Sequence, residues 1–198
     1  MMQSCPASFR YQNTSYFVMP SGDESSLLAF DAGWPCSLHE YARAMKATPY
    51  RFEHIRWAIV SHFHLDHAGL IRDFQDAGIQ CLLFENQGQG IDEMEDMIAP
   101  KYKAYRRIQK QAFLKLNTSE SRSFLAAIGI HGEVITSHGH SDDSVSLVTD
   151  DHEVLIGDLY PVSHLMGDDV KSWESWVRIH ELGGKHIHPG HATPFELE

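Results

Sequence analysis

The chain is poor in cysteine, in basic residues and in long apolar runs, and each shortage excludes something. Cys5, Cys36 and Cys81 are odd in number and far apart, which argues against a disulfide framework. No stretch approaches 18 apolar residues, and Met1–Arg10 lacks the basic-then-apolar pattern of a secretory leader, so no membrane partner is expected. A reduced, cytoplasmic setting is the simplest expectation. Lysine and arginine total 16 against 27 aspartates and glutamates, a formal net charge of −11, and without a basic stripe no nucleic-acid partner is expected. The nucleophile elbow Gly-x-Ser-x-Gly is also missing, so the sequence offers no sign of a serine hydrolase. The rest is ordinary for a globular chain: 42% hydrophobic and 22% charged over 198 residues, enough for one substantial core. Leu197 and Glu198 resemble the residue of an expression tag and are given no weight.

Histidine is abundant, with 14 copies, and three of them crowd into Ser61-His62-Phe63-His64-Leu65-Asp66-His67. Chance alone would produce His-x-His-x-Asp-His in about one such chain in a few hundred. Imidazole and carboxylate are the usual ligands of zinc and related divalent metals. The apolar run Trp57–Val60 before the motif reads as a buried strand, and the spacing from His67 to Ala77 predicts a helix ending at Gly78. The motif therefore falls on a strand-to-helix turn, where α/β sheets present functional groups. If His62 and His64 leave the strand extended, they point the same way and share one metal, while Asp66 and His67 face a second.

Taken in order, residues 8–20 predict a first strand turning at Pro20–Asp23, and Leu27–Phe30 a second. Ser37–Lys46 predicts a helix with Ser37 as N-cap and Glu40 completing a capping box. Gln80–Phe84 is a short strand. From residue 86 to 128 the apolar positions Met94, Ile98, Tyr102, Tyr105, Ile108 and Ala112 recur every three or four residues. One or two long helices broken at Pro100 are expected there, then a helix over Ser119–Ile128. Six basic residues and no acidic one lie between Lys101 and Lys115. They make either a lid attracting anionic substrates or a solvated helix face, and the apolar side of segment 90–115 offers a homodimer contact. Strands at Val134–Thr136, Val145–Val148, Glu153–Ile156 and Lys185–Ile187 and a helix over Val170–Leu182 complete the second half. Two β-rich halves, each feeding metal-ligand types into turns, call for two facing sheets with helices outside.

His62-Phe63-His64-Leu65-Asp66-His67, Gly139-His140-Ser141, Gly157-Asp158 and Gly190-His191 together resemble the metallo-β-lactamase superfamily. Asp31 in Phe30-Asp31-Ala32-Gly33 sits where that superfamily has an early Asp-x-Gly turn. The resemblance implies an α/β fold, an αββα four-layer sandwich of two facing mixed β-sheets with helices outside. It implies one domain over residues 1–196 with a helical insertion at about 86–128. It places His62, His64 and His140 on one metal, and Asp66, His67 and His191 on a second, with Asp158 bridging. The cofactor would be two divalent metal ions: zinc, with iron or manganese as alternatives. Where many relatives have proline before Gly-His, this chain has His138, so His138 competes with His140 as the ligand.

The activity so implied is that of a dinuclear-metal-dependent hydrolase, with a metal-bridging hydroxide attacking an ester-type bond of a small-molecule substrate such as a thioester, lactone or similar acyl compound. Asp66 would orient that hydroxide, and Tyr160, just beyond Asp158, would assist at an oxyanion. A phosphoester or phosphodiester hydrolase of the same fold, and a non-hydrolytic metal or redox module, are the alternatives. The glutathione-binding residues and helical domain of glyoxalase-II-type enzymes are not expected, with seven residues following His191. Nor is β-lactam hydrolysis, since nothing points to export. His39, His54, His131, His152 and His180 read as surface or packing residues. His164, His186 and His188 are left as candidates for assisting or structural roles.

Overall fold

Side chains on extended backbone alternate between two faces, and here both faces of the central strands are buried, each against a different layer. A computed structural model describes residues 5–22 and 25–197; Asp23, the last of the expected turn residues, and Glu198 lie outside the described residues. Six strands, β1 (Ala7–Tyr11), β2 (Thr14–Ser21), β3 (Ser26–Phe30), β4 (Ile55–Ile59), β5 (Gln80–Phe84) and β6 (Leu114–Leu116), form one mixed sheet in that order. The second mixed sheet runs β11-β10-β9-β8-β7, from β7 (Gly132–Thr136), β8 (Val145–Thr149), β9 (Glu153–Gly157), β10 (His186–Pro189) and β11 (Phe195–Glu196).

Phe17, Met19, Leu28 and Phe30 of the first sheet meet Val134, Leu147 and Leu155 of the second, forming the core between them. The intervening residues Tyr16, Val18, Leu27 and Ala29 face the other way, onto α1 (Leu38–Met45), α3 (Ile71–Asp76) and α4 (Gly88–Ile98). Across the molecule, Val148, Val154 and Ile187 pack on Trp176 and Ile179 of α6 (Val170–Glu181). A one-residue slip of β2 would exchange its two apolar sets, so the alternation itself fixes the register. The order of layers is helix, sheet, sheet, helix, the αββα sandwich that the motifs imply.

Several local expectations need correction. Residues 8–20 are not one strand but the β1–β2 hairpin, whose turn places Gln12 at φ 55°. Ser37 does precede α1, but its hydroxyl donates to Trp34 O at 2.7 Å and makes no capping box. The helix expected after His67 is two, α2 (Leu65–Ala68) and α3, parted at Gly69–Leu70. The long helices expected over 86–112 reduce to α4, because Pro100 cannot continue it, and residues 101–109 hold no helix. That irregular stretch is held instead by the buried Glu95, which accepts from Ile108 N at 2.6 Å and Tyr105 Oη at 3.2 Å. It leads into β6 and then α5 (Thr118–Ala127). Leu197 also belongs to the fold: its N–H donates to Lys185 O at 2.8 Å and its side chain packs, like Phe195, against the core that holds Trp176 and Ile187.

Candidate metal centre

Beyond β4 the chain turns at once, with His64 N donating to His62 O at 3.0 Å, so the two imidazoles converge through that turn. His62 Nε2 lies 2.9 Å from His64 Nδ1, and His140 Nε2 lies 3.0 Å from the same atom. His140 comes from the loop after β7, and His62, His64, His140 and Asp158 form one set of converging ligand atoms. Asp66, His67 and His191 form a second.

Asp158 stands between the sets. Its Oδ2 is 3.6 Å from His140 Nε2, 3.8 Å from His62 Nε2 and 3.2 Å from His191 Nε2, while Oδ1 is 3.3 Å from His67 Nε2. Two glycines make this approach possible. Gly157, at φ 56°, lies where a Cβ would meet Ser61 Cβ and Oγ at 2.5 Å. At Gly190 a Cβ would come within 2.7 Å of Asp158 Oδ1. Any side chain at either position would push the two halves of the site apart.

Around the converging atoms lies a layer of supports that the sequence reading largely missed. Asp31 Oδ2 accepts from His67 Nδ1 at 2.8 Å, while Oδ1 accepts from Ser61 N at 2.7 Å. The bond to Oδ2 fixes the His67 tautomer and turns Nε2 toward Asp66 and Asp158. Thr14 Oγ1 donates to Asp66 Oδ2 at 2.8 Å, and His191 Nδ1 donates to Asn13 O at 3.0 Å. Both come from the β1–β2 turn, concealed by reading residues 8–20 as one strand; the polar Gln12-Asn13 pair was the available signal. Asp143 accepts from Phe63 N at 2.6 Å and from Ser141 Oγ at 2.6 Å, tying the His62–His64 turn to the His140 loop. Gln87 adds a buried tie, donating to Val60 O at 2.9 Å.

Protonation follows from this crowding. Burial pushes the His62 imidazole well below its ordinary range. Burial would do the same to His67, but the Asp31 carboxylate, then Asp158 and Asp66, outweigh it and raise His67 well above. Hydrogen bonds to Asp158 and Asp66 raise His191 to about 10. Burial opposes ionisation of Asp66 and Asp158, yet hydrogen bonds from His191 and His67 hold both below the usual carboxylate range. In the metal-free chain, protons on His67 and His191 do for two carboxylates what cations can do.

The residues fit divalent cations. One proton on His64 Nδ1 could satisfy only one of its two imidazole contacts, whereas a cation would use all three lone pairs. A tetrahedral site with bonds of 2.0–2.1 Å spaces its ligand atoms by about 3.3 Å, close to the spacings found here. Asp158 Oδ1 is buried, and the 3.3 Å approach of His67 Nε2 satisfies it poorly; a carboxylate oxygen so placed between two imidazole sets is what a cation would satisfy.

Other candidates fall elsewhere. His138 stays out of both ligand sets, which leaves His140 as the converging residue of the pair. Tyr160 is half-exposed, its ring edge-on to His140 with centroids 5.6 Å apart. His164 is exposed in the 3₁₀ turn Val162–His164. His188 pairs with Glu153 at 2.5 Å and packs on Phe17, and His186 pairs with Glu196 at 2.8 Å. Half of the basic segment is tied down: Arg106 pairs with Asp73 and Asp76, Arg107 with Glu95, and Lys110 with Asp92. Its apolar residues Ile108 and Phe113 are buried with Met94 and Ile98, and Tyr102 and Tyr105 pack against that core.

This sandwich with two imidazole–carboxylate sets defines a class, and the comparisons give it a name. Residues 9–191 match the Metallo-beta-lactamase superfamily, and the chain belongs to that family. A curated relative, "Beta-lactamase-like protein 2 homolog" of Caenorhabditis elegans, is 24% identical over 199 residues; the match covers 94% of this chain and 58% of the relative. The chain thus spans less than two thirds of that protein. Among solved structures, metallo-beta-lactamase family protein TTHA1429 from Thermus thermophilus superposes with TM-score 0.65 at 16% identity, covering 96% of this chain and 73% of that one. TTHA1623, solved in a di-iron-bound form, gives TM-score 0.68 at 16% identity, with coverage of 97% and 94%. Family and candidate ligands together fit a site for divalent metal ions. No helix among the described residues is long and apolar enough to cross a membrane.

Proposed function

We propose that this protein hydrolyses uncharged ester-type bonds, such as thioesters, lactones or similar acyl compounds, with two divalent cations in the centre. The observation that carries this reading is the lining of the grooves beside the ligand sets: neither includes a lysine or arginine. Beyond the cations of the centre itself, a phosphoester would bring negative charge to grooves with no lysine or arginine in their lining, in a chain of net charge −11. Three of the six basic residues of the supposed anion lid, Arg106, Arg107 and Lys110, are paired with Asp73, Asp76, Asp92 and Glu95.

His62, His64 and His140 would hold one cation, Asp66, His67 and His191 the other, and Asp158 would reach both. Bound zinc, or iron as in the di-iron form of TTHA1623, supplies Lewis acidity and lowers the pKa of water from 15.7 to about 7. Asp66, steadied by Thr14, orients the attacking water and accepts its hydrogen bond. Asp31 holds His67 in the tautomer that leaves Nε2 free. Tyr160 stands at the rim beside His140, where its hydroxyl can donate to the oxygen that gains charge as the acyl carbon becomes tetrahedral. The three cysteines are free thiols, which supports a reduced compartment.

The test is turnover of a panel of thioesters, lactones, oxyesters and phosphodiesters by protein loaded in turn with zinc, iron and manganese. Acyl turnover that disappears in Asp158→Asn and His140→Ala is the expected result. Metal-dependent phosphodiesterase activity with a silent acyl panel would overturn the proposal.

A further inference from the structure

Two grooves of unlike character border the ligand sets, one at His140, Asp158 and His191 and the other at His64. One, about 300 Å³, is lined beside His140, Asp158 and His191 by Leu159, Tyr160, Pro161, Pro189 and Ala192. Apart from the candidate ligands and the Tyr160 hydroxyl, its side chains offer no hydrogen-bonding group. The other, about 220 Å³, starts at His64 and Phe63 and is lined by Asn86, Gln89, Glu93, Met97 and Ser141. Its acidic groups differ in freedom. Asp143 is taken by Phe63 N and Ser141, and Asp142 pairs with Lys171 at 2.6 Å. Glu93 receives only Gln89 Nε2, at 2.7 Å, and has no cationic partner among the described residues.

From this juxtaposition we infer that the substrate is an amphiphilic ester. An apolar arm lies along Leu159–Pro161 and Ala192, and a polar, non-anionic arm, best with a cationic head, reaches Glu93 and Gln89. The scissile carbonyl sits between the arms, over the ligand sets. This inference rests on the ester reading above and sharpens it. Physically, the apolar groove discriminates by chain length, because each buried methylene adds a similar increment. Glu93 discriminates by charge, because an anionic head would face an uncompensated carboxylate and a cationic one would pair with it.

The test uses metal-loaded protein and esters joining an alkyl chain of two to eight carbons to a trimethylammonium, hydroxyl or sulfonate head. Each ester is made with the chain on the acyl side and on the alcohol side. In one orientation, kcat/KM should rise about 2- to 4-fold per methylene until the groove is full. Ammonium should exceed hydroxyl, and hydroxyl sulfonate, by about 10-fold from end to end. Glu93→Lys should reverse the order of heads and keep the chain-length slope; Pro161→Asp should flatten the slope and keep the order of heads. Ketone analogues, with CH₂ in place of the ester oxygen, should show both trends in calorimetric Kd without turnover. Ester hydrolysis indifferent to chain and head would overturn the two-armed substrate and leave the hydrolase standing. Ketones binding in the expected order without hydrolysis of any ester would overturn the hydrolase and leave the two arms. Neither binding nor hydrolysis would overturn both.

Discussion

At φ 72°, Asp31 holds a left-handed backbone conformation that few residue types besides glycine, asparagine and aspartate adopt, while its carboxylate serves both Ser61 and His67. Asp31→Ala should strand the buried Ser61 N–H at a cost of about 1–3 kcal/mol, read by urea unfolding. It should also weaken metal binding about 10- to 100-fold in calorimetric titration, because His67 loses its orienting partner. Asp31→Asn keeps the backbone and the Ser61 bond, so it should recover most of the stability and little of the metal affinity. Metal affinity unchanged in both variants would refute the orienting role. His191 adds a pH signature. Its folded pKa, about 10, lies above the ordinary 6.5, so its stabilisation is complete below about pH 6.5 and is lost as pH rises toward 10. Asp66 and Asp158 are shifted the other way, so theirs is present above the ordinary 3.8 and lost as pH falls below it. The melting temperature of metal-free protein should therefore decline from about pH 6.5 to 10, less steeply in His191→Asn. With metal bound the decline should vanish, since a cation replaces the proton.

Among the elements, α4 shows how far periodicity can mislead. Met94, Ile98, Tyr102, Tyr105 and Ile108 keep helical spacing, yet the helix stops at Ile98 and the later residues reach the core from irregular backbone. What holds them is Glu95, a buried carboxylate receiving Ile108 N, Tyr105 Oη and Arg107. Glu95→Ala should cost about 1–3 kcal/mol in urea unfolding, because the buried Ile108 N–H loses its acceptor, while the exposed Arg107 guanidinium returns to water. The exposed pairs of Arg106 are a different matter. Arg106→Ala should change stability by no more than about 1 kcal/mol and leave KM untouched. The same contrast explains what was legible. Strands that are short continuous apolar runs, such as β3 and β5, and the capped helix α6 could be read locally. The β1–β2 turn could not, because a single left-handed Gln12 carries it.

On the scale of the whole molecule, the ligands run from position 62 to 191 and their supports reach back to Asn13. Ser15 N donates to Gly190 O at 2.7 Å and Gly190 N to Gly157 O at 2.7 Å, so the first hairpin, the β9 end and the last loop are stitched together beneath the centre. Metal binding should therefore stabilise the whole sandwich. At a free-metal concentration of 100 times Kd the gain is about 2.7 kcal/mol, expected as a rise of about 5–10 °C in melting temperature that a chelator reverses. A metal-independent melting temperature would show that the sets are not loaded.

The ligand types, their order and the strand-to-turn settings were written in the sequence, because motif spacing and alternation are local properties of the chain. So was the choice of layers, since strands with two apolar faces must be covered twice. Only tertiary structure decided which oxygens and nitrogens meet, that His140 converges while His138 does not, that Asp31, Thr14 and Asn13 steady the ligands, and that Arg106, Arg107 and Lys110 spend their charge on α3 and α4. The reason is physical: such contacts join residues tens to well over a hundred positions apart. Their geometry is set by how two sheets stack, which no window of sequence contains.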